Sequence, residues 1–397
     1  MNSILLIGIV LLCSILASFI FVRLKLPQVI GYLLVGIILG QSFLGLIKSE
    51  DIAQLTQWSY FALALIGFSI GGELRWARLK RFGVSILKIT FFESIISCIS
   101  VFIAIYFLTD QLPLALLLGG LACATAPGGT TNVIQEYKAR GQLTSTLYGV
   151  VGADDALAIV LFSVLSGLAK VLIGAQEVLS LKIISMHIMT DIGGAIFLGL
   201  FFGALFSYWM IQIRDTDVRN LLVLVSIFLC SGVSIFMGAS LILSNMVMGI
   251  VIGNIRPHRA KSYFMSLNTI STPIYMLFFV LIGARLDYRL LLVMGSIGIT
   301  YFIFRTFGKY TGAFIGAYLA KVPAKVRKNI GLCLFSQAGV AIGLAISLDI
   351  EFSNYGPSAK QLSELVLMVI TASTLIFQIM GPLMTKYALT KANETHV

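Results

Sequence analysis

The chain has 397 residues, of which 58% are hydrophobic and only 11% are charged, with a mean hydropathy of +0.98 and a net charge of +11. Soluble domains carry about 25% charged residues, so this composition excludes a water-soluble globular protein and indicates an integral membrane protein. The 28 Lys and Arg residues lie between apolar runs and form no stripe with interleaved aromatic residues, which argues against nucleic-acid binding.

Apolar segments recur along almost the whole chain. Crossing a hydrocarbon layer about 30 Å thick takes about 20 residues, and roughly thirteen segments are long enough to do so. We therefore predict an all-α polytopic membrane protein with about 13 transmembrane helices, the first of which is retained rather than cleaved. The predicted spans are 3–22, 28–47, 52–72, 83–108, 112–137, 143–172, 186–212, 218–237, 240–255, 264–284, 289–319, 328–349 and 362–386.

Lys and Arg are distributed unequally between the two sides of these spans. With the N-terminus outside, nineteen lie on the inner side, six lie on the outer side, and three, Lys88, Arg305 and Lys309, lie within spans. Because loops on the inner side of a membrane are enriched in Lys and Arg, this asymmetry predicts an N-terminus outside and a C-terminus inside.

An internal repeat appears when the two halves are compared at a shift of 212 residues. ALIGFSIGGELRWARL, which ends at Leu79, is similar to LFFVLIGARLDYRLL, and 29–40 is similar to 243–254 one residue out of step. Each matched helix starts on the opposite side from its mate, so the repeat is inverted and a binding site is expected near the midplane. We interpret 1–397 as one transmembrane domain without a soluble regulatory domain. Its parts are repeat one at about 28–172, a linker helix at about 186–212 and repeat two at about 240–386.

Two predicted spans contain helix breakers at matching places. ATAPGGTT and FSQAGVAIG place Pro127 and Gly339 one repeat shift apart. Proline removes an amide donor, so these breaks leave carbonyl groups and helix ends free at membrane depth, where they must line a cavity or meet an ion. We therefore expect two crossed broken helices. Thr125, Ser336 and Gln337 are candidate cation ligands, with hydrogen bonding to the broken backbone as the alternative role.

Two adjacent carboxylates, Asp154 and Asp155, lie within GVVGADDALAIVLF in the sixth predicted span. An ionised carboxylate at that depth costs about 3 kcal/mol, and two neighbours cannot both ionise cheaply. A carboxylate that holds either a proton or a cation, but not both, exchanges one for the other. We therefore predict that this pair binds H⁺ and Na⁺. The alternative is a structural acidic pair with partners elsewhere.

Three further charged side chains are predicted to lie inside spans, and we expect them to compensate charge. Lys309 is the natural partner of an aspartate. The repeat makes Glu93 and Arg305 symmetry mates, and mates in an inverted repeat converge near the midplane. We therefore predict a structural Glu93–Arg305 ion pair and a functional Lys309–Asp154 pair. The reverse assignment, with Arg305 beside an aspartate, stays open.

These segments together resemble the monovalent cation/proton antiporter superfamily, specifically the bacterial branch that includes Na⁺/H⁺ exchangers and the membrane parts of potassium-efflux systems. The matching segments span nearly the whole chain. They are LPQVIGYLLVGIILG, TAPGGTTNVIQEYKARG followed by the Asp pair, PIYMLFFVLIGARLD, and the GK-containing span followed by SQAGVAIGLA. One departure is Ala126, since an acidic residue often follows the threonine in the family.

The resemblance implies a homodimer in the bacterial cytoplasmic membrane, in which a core domain with the broken helices moves against a dimerisation domain. It implies that Asp155 is the ion-binding carboxylate, that Asp154 is the lysine-paired one and that Lys309 is that lysine. In relatives with these three residues the cycle is electrogenic. The buried Glu93 and Arg305 are also similar to residues of the electroneutral relatives.

The predicted function is exchange of Na⁺, or Li⁺, for H⁺ by alternating access, with membrane lipid as the surroundings and no cofactor. A K⁺/H⁺ antiporter or gated K⁺ efflux pathway is the first alternative, and a non-transporting membrane sensor subunit is the second. We do not expect an enzyme, because the sequence shows no nucleophile–base pair, metal cluster or cofactor loop.

Overall fold

The described residues of the computed structural model are 3–23, 28–40, 43–48, 55–74, 76–126, 130, 133–134, 137–174, 189–213, 215–255, 257–285, 295–337, 339–353 and 355–395. Within these ranges the chain is helical or irregular and contains no strand. The helices are α1 (Ser3–Arg23), α2 (Gln28–Leu39), α3 (Thr56–Glu73), α4 (Trp76–Thr109), α5 (Leu112–Leu121), α6 (Gln142–Gly174), a π-helical turn (Met189–Gly193), α7 (Gly194–Gln212), α8 (Thr216–Met237), α9 (Leu241–Ile255), α10 (Pro257–Arg285), α11 (Gly295–Leu319), α12 (Ala324–Asn329), a 3-10 turn (Ile330–Leu334), α13 (Gly339–Phe352) and α14 (Pro357–Lys391).

The helical fold follows from the apolar composition, because backbone groups in hydrocarbon must be satisfied within the protein and a helix does this inside one segment. Four of the described helices are long and apolar enough to cross a membrane: α1, α4 from Gly83 onward, α6 and α14. The bent pair formed by Ala324–Leu334 and α13 makes a fifth. Shorter apolar helices accompany them. The predicted polytopic all-α fold is confirmed, and the count of about 13 spans stays a prediction.

The chain divides into two compact units, each built from one segment of either half. Unit 1 comprises Met1–Gly72 and Ala195–Val293, and unit 2 comprises Glu73–Gly194 and Met294–Val397. Each unit therefore contains matching parts of the two predicted repeats. This division supports an inverted repeat with interleaved halves, whose boundaries stay predictions.

Glycines bring helix backbones into contact in unit 1. Where α2 packs against α10, a side-chain carbon on Gly36 would lie 2.8 Å from the Cα of Gly283. Where α3 packs against α9, a side-chain carbon on Gly71 would lie 2.9 Å from the amide nitrogen of Ile250. The repeat exchanges these two contacts, since it relates α2 to α9 and α3 to α10. Small residues thus permit the close approach that holds membrane helices together.

Unit 2 contains a similar but longer contact between α4 and α11. Three glycines on α11, spaced by one turn, lie against the α4 backbone. A side-chain carbon on each would lie 2.6–2.7 Å from the Cα of its α4 neighbour, the pairs being Gly308 with Ser97, Gly312 with Glu93 and Gly316 with Ile89. As the residue number rises along α11, the number of the contacting residue on α4 falls. The two helices therefore run antiparallel with their backbones in contact. This register brings Glu93 within reach of the side chains of α11.

Both predicted helix breaks lie in unit 2. An irregular stretch follows α5 as far as Ala126, and 335–337 separates the 3-10 turn from α13, which begins at Gly339. The second broken helix bends by 46°. The two breaks touch, because the Ala126 amide donates to the main-chain oxygen of Ser336 at 2.9 Å. The second break and the contact between the two breaks are thus found, whereas the crossing of two broken helices stays a prediction, because Pro127 and most residues up to 136 lie outside the described residues.

Candidate functional site

The aspartate pair lies near the middle of α6, a helix of 33 residues. Asp154 is 0% exposed and Asp155 is 5% exposed. The helix packs against α4 and α5 of the same unit. Both carboxylates therefore lie buried inside unit 2, largely shielded from water, and their depth in the membrane stays a prediction.

Polar groups of α4 and α11 surround Asp154. The Ser94 hydroxyl donates to Asp154 Oδ1 at 3.0 Å and also lies 3.2 Å from Glu93 Oε1. Lys309 Nζ lies 3.3 Å from Asp154 Oδ2, so the predicted Lys309–Asp154 contact is present. A hydroxyl has a single proton to donate. Ser94 therefore links the Glu93 and Asp154 carboxylates, which compete for it.

Lys309 contacts both of these carboxylates. Its Nζ lies 2.7 Å from Glu93 Oε2, lies 2.8 Å from Thr125 Oγ1 and donates to the main-chain oxygen of Cys123. With Asp154 this makes four oxygen acceptors, whereas an ammonium group has only three protons. The acceptors therefore compete, and Asp154 has the longest of the measured contacts, at 3.3 Å.

The predicted ion pair between Glu93 and Arg305 is wrong, because Glu93 pairs with Lys309 instead. In an inverted repeat, equivalent residues such as Glu93 and Arg305 lie at equal distances from the symmetry axis that relates the two repeats, but on opposite sides of it. In the antiparallel crossing of α4 and α11, this separates the two residues by about 10 Å along the helices. The turn of Arg305 faces Ser100 instead, whose hydroxyl donates to Phe304 O at 3.1 Å. An ion pair of Arg305 with an aspartate, the alternative assignment, is also not found among the described residues.

Arg305 instead binds the ends of both broken helices. Its Nη1 donates to Phe335 O at 2.9 Å, and its Nη2 donates to Ala124 O at 2.7 Å and to Ser336 O at 3.4 Å. Its guanidinium carbon lies 4.3 Å from the centre of the Phe377 ring. Because the C-terminal end of a helix carries partial negative charge, main-chain oxygens rather than a carboxylate compensate this guanidinium.

Side chains also bind the remaining carbonyl groups of the first break. The Gln337 amide nitrogen donates to Leu121 O at 3.1 Å and to the Tyr301 hydroxyl at 2.8 Å. The Ser97 hydroxyl donates to Ala122 O at 3.1 Å. The last carbonyl groups of a helix have no partner within it, so these bonds and those of Arg305 satisfy groups that the break leaves open.

The three candidate ligands of the breaks therefore differ in their surroundings. Gln337 hydrogen-bonds the broken backbone, which is one of its two predicted roles. Ser336 joins the breaks through its main-chain oxygen, and its hydroxyl has no partner among the described residues. Thr125 accepts from Lys309 and so lies at the aspartate side of the crossing. Cation ligation by any of the three stays a prediction.

The sequence of the chain matches that of a known protein family. The family described as the transmembrane sodium/hydrogen exchanger matches residues 7–386 of the chain. The chain belongs to this sodium/hydrogen exchanger family. The predicted superfamily is thereby confirmed, and with it a membrane transporter rather than a soluble protein.

Individual members of the exchanger family are similar over most of their length. The chain is 26% identical to the probable Na⁺/H⁺ antiporter GerT of Bacillus cereus, with 85% of this chain and 88% of that protein covered. It is 22% identical to the ammonium/H⁺ antiporter subunit AmhT of Alkalihalophilus pseudofirmus, with 85% and 84% covered. The solved structure of the sodium proton antiporter MjNhaP1 from Methanocaldococcus jannaschii at pH 8 has the same fold, with a TM-score of 0.81 at 21% identity and 98% of each chain covered.

Sequence reasoning misses several polar groups of the exchanger site. Tyr301, Arg305 and Lys309 are spaced by four residues, and this spacing places them on one face of a helix. That signal could have indicated Tyr301. Ser94 directly follows the buried Glu93, but a serine in an apolar helix usually bonds its own backbone and carries no comparable signal.

Proposed function

We propose that this chain exchanges Na⁺, or Li⁺, for H⁺ across the membrane by alternating access, and that the exchange is electrogenic. In this proposal a proton and a cation compete for Asp155, while Asp154 alternates between a proton and the ammonium of Lys309. The observation that carries the proposal is that two buried carboxylates, Glu93 and Asp154, share the ammonium of Lys309, and that a third carboxylate, Asp155, is buried next to Asp154 in the chain. Membership of the exchanger family and the similarity to GerT support it.

The charge balance gives the reason for binding. With Arg305 compensated by helix ends, the ionised forms of Glu93, Asp154 and Asp155 together with Lys309 leave two negative charges. Net charge is costly at membrane depth, and this favours the uptake of positive charge by these four groups. Two protons neutralise it fully, whereas one monovalent cation neutralises half. A cycle that carries two protons in one direction and one cation in the other therefore moves net charge.

Glu93 gives Lys309 a second partner, and this makes the release of Asp154 possible. A buried ammonium that lost its partner would be strongly destabilised. Here Glu93 Oε2 lies 2.7 Å from the ammonium and stays beside it when Asp154, at 3.3 Å, is protonated or binds the cation. The correction of the predicted pairing thus supports the alternating role of Asp154.

Oxygen ligands for the cation are at hand around the same point. Hard cations prefer carboxylate, hydroxyl and carbonyl oxygens. Asp154 and Asp155 supply carboxylates, and the Thr125 hydroxyl becomes available when Lys309 moves towards Glu93. Ser336 and Gln337 belong to the second break and are further candidates.

The same proposal covers the assembly and the location of the chain. It forms a homodimer in the bacterial cytoplasmic membrane, surrounded by lipid, with its N-terminus outside and its C-terminus inside. The inner-side excess of Lys and Arg supports the orientation. The interleaved segments of the two units support the two repeats, about 28–172 and about 240–386.

Solid-supported-membrane currents on the purified, reconstituted protein test the exchange. We expect jumps of Na⁺ and Li⁺ at several pH values to give transient currents, and an outward proton gradient to dissipate when Na⁺ is added. Asp155→Asn should abolish both signals. Normal exchange by Asp155→Asn would overturn the assignment of Asp155. Proton movement without net charge would overturn the electrogenic cycle and leave an electroneutral one.

A larger monovalent cation is the second candidate substrate, and the similarity to AmhT, named as an ammonium/H⁺ antiporter subunit, favours it. K⁺ is also a larger monovalent cation than Na⁺, so this candidate includes the first alternative predicted from the sequence, K⁺ exchange or gated K⁺ efflux. Currents with K⁺ or NH₄⁺ at concentrations where Na⁺ gives none would select it. Neither current nor proton movement with any of these cations would favour a non-transporting sensor subunit.

A further inference from the structure

A carboxylate from a distant part of the chain binds the start of the helix that carries the aspartate pair. Glu394 follows α14 and is only 3% exposed, although it is an acidic residue outside any helix. Its Oε1 accepts from the Leu143 amide at 2.9 Å, and its Oε2 accepts from both the amide and the hydroxyl of Thr144 at 2.8 Å. These three bonds bring together residues about 250 positions apart in the sequence.

The carboxylate replaces a cap that α6 itself lacks. Gly141 O accepts the amide of Ser145 at 3.1 Å, so Gly141 occupies the N-cap position. A serine, threonine, aspartate or asparagine at that position normally offers its side-chain oxygen to the second or third amide of the helix. Glycine has no such oxygen, and Glu394 binds the amides of Leu143 and Thr144 instead. Its negative charge also lies at the positive end of the helix dipole.

Close contacts fasten this carboxylate in place. A side-chain carbon on Gly141 would lie 2.6 Å from Glu394 Cγ, so only glycine leaves room for the approach. The main chain adds two bonds, from Arg140 N to Glu394 O at 2.9 Å and from Glu394 N to Leu389 O at 3.1 Å. Leu389 is fully buried in the same hydrophobic cluster as Leu143. The end of α14 and the start of α6 thus form one clasp, which we define as Gly141, Leu143, Thr144 and Glu394.

The clasp acts on the aspartates through α6. The helix runs from Gln142 to Gly174, and Asp154 lies ten residues after Thr144, about 15 Å along the axis. A shift or rotation of the first turn of a helix moves side chains further along it. The contacts of Asp154 with Ser94 and Lys309, at 3.0 and 3.3 Å, leave little room for such a shift before they are lost.

We propose that Glu394 is a positioning residue for the exchange site, which holds α6 in the axial position and rotation that set the cation affinity of the aspartate pair. The inference rests on the proposed exchange function and deepens it. It assigns Glu394 no contact with cation or proton in transit. Its expected signature is a change in KM for the cation rather than a loss of turnover by correctly folded protein.

The test compares Na⁺ currents of reconstituted wild type, Glu394→Gln, Glu394→Asp and Gly141→Ala, with Glu364→Gln as the matched control. Glu364 lies on α14 as well, but its side chain is half-exposed and its ion pair is a loose one along the same helix, with Lys360 at 3.9 Å. Glu394→Gln and Gly141→Ala should each raise the KM for Na⁺ by about two- to thirtyfold, the range of coupling changes caused by residues remote from a site. Glu394→Asp, which keeps the charge, should restore part of the affinity, and Glu364→Gln should leave the KM unchanged.

Thermal unfolding of each variant in detergent separates positioning from folding. An unchanged KM in both Glu394→Gln and Gly141→Ala, whatever their melting temperatures, would show that the clasp only stabilises the fold and would overturn the inference. If these variants do not fold, Thr144→Val removes a single bond of the clasp and must then raise the KM more than Glu364→Gln does. A wild type that gives neither a Na⁺ current nor Na⁺-driven proton movement overturns the proposed function itself, which distinguishes the two failures.

Discussion

Among the described residues, the buried polar side chains of unit 1 are serines and one asparagine, whereas those of unit 2 include Glu93, Asp154, Asp155, Arg305 and Lys309. The serines of unit 1 mostly donate to a carbonyl of their own helix, as Ser14, Ser226 and Ser234 do. Such bonds add no charge and no link to another helix. In unit 2 charged side chains join different helices, as Lys309 joins Glu93 and Asp154, so that a change of charge at one helix is felt at another.

Glycine contacts also serve different purposes in the two units. In unit 1 they bring α2 against α10 without any charged side chain at the contact among the described residues. In unit 2 the same device brings α11 against α4 and thereby places Lys309 beside Glu93. The two units therefore use one packing principle, and only in unit 2 does the packing also set the geometry of charges. Equivalent substitutions should consequently affect transport in unit 2 and only stability in unit 1.

The largest expected effect comes from removing the ammonium of unit 2. Lys309→Met leaves Glu93 and Asp154 buried without their cation, and breaking a buried pair in this way costs about 3–5 kcal/mol. We expect a melting temperature well below that of wild type in detergent and no Na⁺ current after reconstitution. The double variant Lys309→Met with Glu93→Gln should recover part of the stability, because one uncompensated carboxylate is gone, but no transport. If Lys309→Met alone were as stable as wild type, Lys309 would not be the shared partner of Glu93 and Asp154.

A smaller contrast is expected from matched serines in the two units. Ser94→Ala removes the hydroxyl that donates to Asp154 at 3.0 Å, and hydrogen bonds to charged groups contribute about 1.5–3 kcal/mol. Ser231→Ala in unit 1 removes the oxygen that accepts from Asn245 at 3.0 Å, and a neutral bond contributes about 0.5–1.5 kcal/mol. Thermal unfolding should show the larger loss for Ser94→Ala. Only that variant should change the KM for Na⁺, and equal effects on KM would contradict the contrast between the units.

Sequence patterns are sufficient to locate the site but not to pair its charges. The aspartate pair is recognisable because carboxylates are rare in apolar segments, and the breaks are recognisable because glycine and proline are poor helix residues. Glu93 and Arg305 also stand out as buried charges. Their pairing depends on the register of two antiparallel helices, and the repeat shift relates equivalent positions without giving the point where the helices cross. A displacement of about one turn on each helix exchanges one partner for another.

Glu394 shows a second limit of sequence reasoning. From sequence alone, an acidic residue just beyond an apolar segment, such as Glu394, is interpreted as a solvated charge. A glycine before a helix, such as Gly141, is interpreted as a loop residue. Their role depends on a contact between segments about 250 residues apart, as the bonds to Leu143 and Thr144 show. Hydropathy and periodicity report the local environment of a segment and contain no information on such a contact. The described structure is needed to find it.

The smallest expected effect on the KM for Na⁺ comes from one alanine in each unit. A methyl group on Gly312 would lie 2.7 Å from the Cα of Glu93, and one on Gly36 would lie 2.8 Å from the Cα of Gly283. Both variants overpack a backbone contact, which costs about 1–3 kcal/mol, so both melting temperatures should fall. The fall should be larger for Gly36→Ala, because its methyl group would also press on the main-chain oxygen of Val280. Gly312→Ala also moves Glu93 relative to Lys309 and should raise the KM for Na⁺, whereas Gly36→Ala should leave it unchanged in the folded fraction. If Gly36→Ala changed the KM as much as Gly312→Ala, the cation affinity would depend on the helix packing of unit 1 as well. The conclusion that only the packing of unit 2 sets the geometry of the charges would then be wrong.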